Sequence, residues 1–262
     1  MPYLLDLARQ QNLKGPNGEY AWYWVEDNSG SPRYTKGGLP PDAPNPGSND
    51  VWPLLRKRPL TVYRFMTGKG PNGARCIGYR RGNGSRCHAG IDLCAKYGDT
   101  VVAVADGTIV NFYWFYKGVF ALFIDHGSYV VNYGEVDRSS LSRFNLKTPS
   151  FADGNKLRRT TRFYTGTDIS AVGSSYPWLA SEGSSVKAGD PIAIVGKMEK
   201  SSMLHFEMYS SGVTKNKRWT GFPDSSPPSG LLNPTNFLLS LAGKKREAQP
   251  SAKETSIASV CR

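Results

Sequence analysis

Between Tyr97 and Tyr133 the chain is a succession of short β-branched and aromatic runs, each cut off by glycine. YGDTVVAVADGTIV (97–110) alternates and is β-rich, with Gly98-Asp99 and Asp106-Gly107 as turn signals. FYWFYKGV (112–119), FALFID (120–125) and YVVNY (129–133) follow, and His126-Gly127-Ser128 makes a tight turn between the last two. Short strands joined by such turns pair as antiparallel neighbours. The pattern resumes at VKAGDPIAIVG (186–196) and MLHFEMY (203–209). The expected fold is therefore mainly β, an antiparallel sheet.

The rest of the chain is organised around that sheet. Residues 1–12 read as a short helix with Leu4, Leu5, Leu7 and Ala8 on its apolar side, and 27–50 as turn-rich and irregular. Residues 138–180 are polar, basic and loop-like, an insertion between strands rather than a second core. Asn233-Pro234 opens a short helix, with Asn233 as N-cap, Pro234 in the first turn and Gly243 as the stop. The division is an irregular N-terminal extension over 1–50, a β domain over 51–243 and a polar tail over 244–262.

A hydrophobic fraction of 39% is enough for a core, and no run of 18 apolar residues exists, so membrane insertion is not expected. Lys+Arg 33 against Asp+Glu 21 leaves +12, which calls for an anionic partner: nucleic acid, an envelope polymer or a membrane surface. MPYLLDLARQQNLKG has no basic n-region, is broken by Asp6 and Arg9, and lacks a cleavage site. A secretory signal peptide is not expected, so a target outside the cytoplasm needs another route. Cys76 and Cys87 flank a Gly/Arg-rich loop and suit either a hairpin-closing disulfide or free thiols. With Cys94 and Cys261 they form no C-x-x-C pair, which argues against a cysteine-only zinc site.

Three histidines occur. His88 and Asp92 lie four residues apart, on one face of an extended chain but about 13 Å apart along an ideal strand. Gly90 between them supplies the freedom to bend. His205 shares a strand face with Met203 and Glu207, while Leu204, Phe206 and Met208 take the apolar face. Two histidines and one aspartate make a zinc set that leaves a fourth position open, as catalytic sites do. A surface histidine and a turn aspartate fit the same spacing.

These residues fall within blocks that resemble the lysostaphin/LytM-type zinc metallopeptidases, which cut peptide cross-links in bacterial cell walls. Arg86–Leu93 (RCHAGIDL) resembles the family's H-x-x-x-D block, and Gly98–Val110 its next hairpin. Asp125-His126-Gly127 resembles the D-H-G turn, Val186–Asp190 with Ile194–Gly196 the V-K-A-G-D and V-G strands, and Leu204–Glu207 the last metal strand. Asn233-Pro234 resembles the closing N-P. The blocks are in order and span roughly 75–240. The resemblance implies a LytM-like β domain of the duplicated hybrid motif type and Zn2+ held by His88, Asp92 and His205. It also implies peptidoglycan as substrate, with His126 structural at its turn.

The sequence departs from that pattern at two places. The first position of the family's H-x-H is Met203, and the histidine of its Y-x-H is replaced in Tyr133-Gly134-Glu135. A thioether cannot carry a proton. Glu135 is then the candidate general base, in the manner of the glutamate of H-E-x-x-H proteases. Glu207 is a candidate carboxylate partner of a ligand histidine. Tyr133 and Arg86 are candidates for supporting or substrate contacts. The competing reading is a degenerate domain that binds wall or regulates another hydrolase. Retention of all three ligands favours the enzyme.

Arg75, Arg80, Arg81 and Arg86 precede or enter the metal block and, with Arg158, Arg159 and Arg162, suit a rim for carboxylates or phosphates. A basic nucleic-acid-binding protein is the remote alternative. Tyr113, Trp114 and Tyr116 have only Lys117 beside them, so nucleic acid is not expected as partner. Two contexts remain: a phage-type lysin, or an injected antibacterial effector acting in the periplasm or cell wall, which would bring an immunity protein as a further partner.

Overall fold

The sheet is built on strands whose odd and even residues have different destinations. In the computed structural model, residues 37–55, 77–81, 85–153, 156–159, 179–199 and 201–247 are described. The strands before the insertion are β1 (Arg80–Arg81), β2 (Arg86–Cys87), β3 (Ile91–Cys94), β4 (Thr100–Val102), β5 (Gly107–Tyr116), β6 (Val119–Asp125) and β7 (Tyr129–Val136). After them come α1 (Ser140–Arg143), β8 (Ser150–Asp153), β9 (Lys156–Arg159) and β10 (Leu179–Ser181). β11 (Ser185–Val186), β12 (Pro191–Ile194), β13 (Met203–Ser210), β14 (Leu231–Leu232) and α2 (Thr235–Glu247) complete the domain.

The main sheet has seven strands, in the order β11-β5-β6-β7-β13-β14, with β3 also paired to β13. All of these pairs are antiparallel. β13 is the hub. One edge carries β7, and the other carries β3 against its first half and β14 against its second. The register sets Asp92 beside His205 and Gly134 beside His205 on the other side.

Leu204, Phe206 and Met208 of β13 are fully buried in the core. Phe206 stacks on Phe237 of α2 at 6.5 Å and meets Tyr133 edge-on at 5.8 Å. Burying one such side chain contributes about 1.5–3 kcal/mol, which fixes the register of the strand that carries His205. Asn233 Oδ1 accepts from the Thr235 backbone N–H at 3.1 Å, the N-cap role expected of it.

Two irregularities re-aim side chains at one end of the sheet. Phe120 of β6 pairs with Trp114 on one side and Val136 on the other. Next along, Tyr116 pairs with Val119 and Gly134 with Ala121, so Phe115 and Glu135 are extra residues. Each is a β-bulge. Glu135 has φ +64°, the left-handed conformation of a bulge position normally given to glycine.

The structure corrects several local expectations. The run 112–119 is not one strand, because Lys117 and Gly118 (φ 45° and 81°) form the turn between β5 and β6. Gly243 does not stop the last helix, which continues to Glu247 through the first residues of the polar tail. Within the stretch read as a loop insertion, β8, β9 and β10 form a three-stranded antiparallel sheet preceded by α1. The helix expected over 1–12, together with Arg75, Arg162, Cys76 and Cys261, lies outside the described residues.

Candidate metal centre

His88 follows β2 and is held by backbone hydrogen bonds with its hairpin partner: its N–H donates to the Tyr79 carbonyl and its carbonyl accepts from Gly78, both at 2.7 Å. Asp92 is on β3 and His205 on β13, directly opposite each other. Gly90 is needed for space. A Cβ there would lie 2.6 Å from the Phe206 carbonyl oxygen, 2.7 Å from Glu207 Cγ and 3.0 Å from His205 Cε1. Its φ is not positive, so closeness rather than the expected backbone freedom explains it. Gly134 plays the same part on the other side, where a Cβ would sit 3.0 Å from His205 Cδ2.

Three lone-pair atoms converge. His88 Nε2 is 3.2 Å from His205 Nδ1 and 3.1 Å from Asp92 Oδ1, and His205 Nδ1 is 2.9 Å from Asp92 Oδ1. All three residues are buried. A tetrahedral ion with bonds near ~2.0 Å spaces its ligands by roughly 3.3 Å, close to these separations. The donors, two imidazoles and a carboxylate, suit zinc.

Each ligand has a partner that turns it inward. His205 Nε2 meets Glu207 Oε1 at 2.8 Å. Glu207 in turn accepts from Asn132 Nδ2 at 2.7 Å and from Tyr209 Oη at 3.0 Å. Asp92 gives its other oxygen to Arg81 Nη2, which also lies 3.4 and 3.5 Å from the two His88 nitrogens. Burial and then Arg81 push His88 down to about 4, so its imidazole is neutral, as a metal ligand must be. For His205 burial opposes the charge, but Glu207 and Asp92 outweigh it and raise the ring to about 10, so without metal it holds a proton that a metal on Nδ1 would displace. Glu207 is pushed up by burial and pulled down further by His205, Asn132 and Tyr209, so it stays ionised.

Glu135 reaches the same end of the sheet from its bulge and is buried. Tyr116 Oη, displaced by the neighbouring bulge, donates to Glu135 Oε1. Glu135 Oε2 is buried with no hydrogen-bond partner among the described residues. Burial, and then the charge of Asp92, raise Glu135 to about 7, against the pull of His205, Tyr116 and Arg81. Phe115 lays its ring 5.7 Å from that of His205 and meets Tyr116 edge-on at 5.1 Å.

The structure does not bring every sequence candidate to this cluster. Tyr133 points into the core, where its hydroxyl accepts from the Val104 N–H at 2.9 Å and contacts His126 Nε2 at 3.2 Å. It is excluded from substrate contact by complete burial. His126 also meets the Asp106 carbonyl through Nδ1 at 2.9 Å, a turn-stabilising position away from the cluster. Arg86 is exposed on the hairpin. Met203 lies two residues before His205 on the same strand face. Cys87 is buried, with Sγ 3.8 Å from Ser225 Oγ. Sequence reasoning missed Asn132, Tyr209, Tyr116 and Phe115, and did not foresee Arg81 on Asp92. Asn132 alone left a signal, a polar residue inside the apolar run YVVNY.

No protein-family model and no curated protein sequence matches the chain. Solved structures do resemble it. LytU is 22% identical with a TM-score of 0.34, over 55% of this chain and 77% of that one. The catalytic domain of the antimicrobial peptidase lysostaphin from Staphylococcus simulans is 20% identical with a TM-score of 0.31, over 58% and 80%. A zinc-containing peptidase from Vibrio cholerae is 17% identical with a TM-score of 0.30, over 71% of this chain and 40% of that one. Among the described residues, the domain carries a buried His-Asp-His group that could hold a metal. Among the described residues, no helix is long and apolar enough to cross a membrane.

Proposed function

We propose that the chain is a zinc-dependent endopeptidase that hydrolyses peptide cross-links of bacterial peptidoglycan. The observation that carries this reading is the convergence of His88 Nε2, Asp92 Oδ1 and His205 Nδ1. Zinc held by these atoms supplies Lewis acidity toward water and toward a peptide carbonyl. Glu135 is the proton carrier. Tyr116 occupies Oε1, so Oε2 takes the proton of the attacking water and returns it to the leaving amine. Burial makes the Glu135 carboxylate a stronger proton acceptor than an exposed one, which suits both transfers. Glu207 and Arg81 orient the ligands, and Phe115 screens the His205 ring from water.

Peptidoglycan as substrate is supported by the ordered sequence blocks and by the net charge of +12. The proposed site of action is then the periplasm or cell wall, where an effector or lysin would meet this polymer, with an immunity protein as partner in the effector case. A binding-only domain is the second reading, favoured by Met203 where the family has a histidine.

Purified peptidoglycan incubated with the protein, with and without a zinc chelator, separates the two. Conversion of cross-linked dimers to monomers, seen by mass spectrometry only without chelator, is the expected result. Glu135→Gln should keep zinc and lose at least about a hundredfold in turnover. Absence of conversion under every metal condition would overturn the endopeptidase reading and favour the binding-only one.

A further inference from the structure

The hairpin that leads into His88 has a charged face that the proposed chemistry leaves unused. Arg81 of β1 stands directly opposite Arg86 of β2. Opposed residues of an antiparallel pair project to one face, as do residues two apart on a strand. Arg81 and Arg86 therefore share the face of His88. A third strip widens the ribbon: Arg86 is bridged to Thr220. The Cys87 N–H donates to the Trp219 carbonyl at 2.8 Å, and the Gly221 N–H to the Ser85 carbonyl at 3.2 Å. Along this strip Arg218 and Thr220 are exposed and Trp219 between them is buried, which sets Arg218 on the same face as Arg81 and Arg86.

Like charges opposed on a sheet are unfavourable. Among the described residues, Asp92 is hydrogen-bonded to Arg81 and is the carboxylate whose charge acts on Arg86, and it is already committed. One oxygen goes to Arg81 and the other to the two histidines. A divalent cation in the centre would add to the imbalance. Among the described residues no carboxylate is ion-paired with Arg86 or Arg218, and a guanidinium holds a carboxylate through two parallel N–H bonds.

We infer that Arg86 and Arg218 form a carboxylate-binding subsite at the rim of the metal centre, for a substrate peptide with a free carboxylate flanking the bond to be cut. The choice of a peptide as ligand rests on the peptidase reading; the anion site rests on the ribbon itself. Arg81 belongs to Asp92 and takes no part in the subsite.

The test uses the full-length, zinc-loaded Glu135→Gln protein and calorimetry with three stem peptides of one sequence. The first has a free C-terminal carboxylate and an amidated acidic side chain, the second has the reverse, and the third is amidated at both. One carboxylate form should bind about tenfold more tightly than the third peptide, which tells a chain terminus from a side chain as the source. In Arg86→Gln/Arg218→Gln that preference should fall to within about twofold, with zinc content and binding of the third peptide unchanged. Should the double variant fail to fold, Arg218→Gln alone, at an exposed position, should reduce the preference at least about threefold. Equal affinity for all three peptides, no measurable binding, or a preference that survives the substitutions would overturn the inference. A preserved preference in a protein that cuts no peptidoglycan would overturn the peptidase reading and leave the subsite in place.

Discussion

Glu135 is the residue whose surroundings suit its chemistry least and the proposed reaction most. A carboxyl normally near 4.3 is held near 7 by burial and by Asp92. Its folded value lies above its unfolded one, so the folded state binds the proton more tightly. Any stability from that proton is present below the unfolded value and is lost as pH rises through about 7. In chelator-treated protein Glu135→Gln should therefore be nearly neutral at pH ~4 and stabilising at pH ~8, by about 3–4 kcal/mol. Thermal melts at the two pH values read it, and equal shifts at both would remove the burden assigned to this group. Glu207→Ala leaves His205 Nε2 without its 2.8 Å partner. It should weaken zinc binding about 10–100-fold in a competition titration, with the fold intact by circular dichroism. The candidate ligands His88, Asp92 and His205 were picked out by spacing together with the ordered family-like blocks, and the structure brings the three together. Arg81 and Tyr116 were not. They reach Asp92 and Glu135 across other strands, and nothing in the local spacing encodes that pairing.

At the scale of the strand, legibility followed hydrophobic alternation. β6, β7 and β13 were recoverable because one face of each is apolar and the other mixed. The bulges at Phe115 and Glu135 were not, since inserting one residue preserves composition and changes only register. The Lys117-Gly118 turn was hidden for the opposite reason: aromatic residues run up to it on both sides. The polar and basic composition of 138–180 obscured β8 to β10. Gly90 shows how an element is selected for room. Its neighbour at 2.6 Å is the backbone oxygen of Phe206, which cannot rotate away. Gly90→Ala should push β3 from β13 and abolish stoichiometric zinc binding, whereas a glycine needed only for flexibility would tolerate alanine.

Across the whole molecule, one strand does the joining. β13 is hydrogen-bonded to β7, β3 and β14, presents Leu204, Phe206 and Met208 to the core, and carries His205 and Glu207 on its other face. The ligand strand is thus also the least able to fray. Backbone amides of so central a strand are expected to open only with global unfolding. In hydrogen–deuterium exchange, the amides of Leu204 to Met208 should be the slowest in the chain and should stay so after chelation. Removing zinc should accelerate exchange first around His88, on the short β1–β2 ribbon. The centre would then lose its metal by the yielding of one wall, with the other standing as a template for its return.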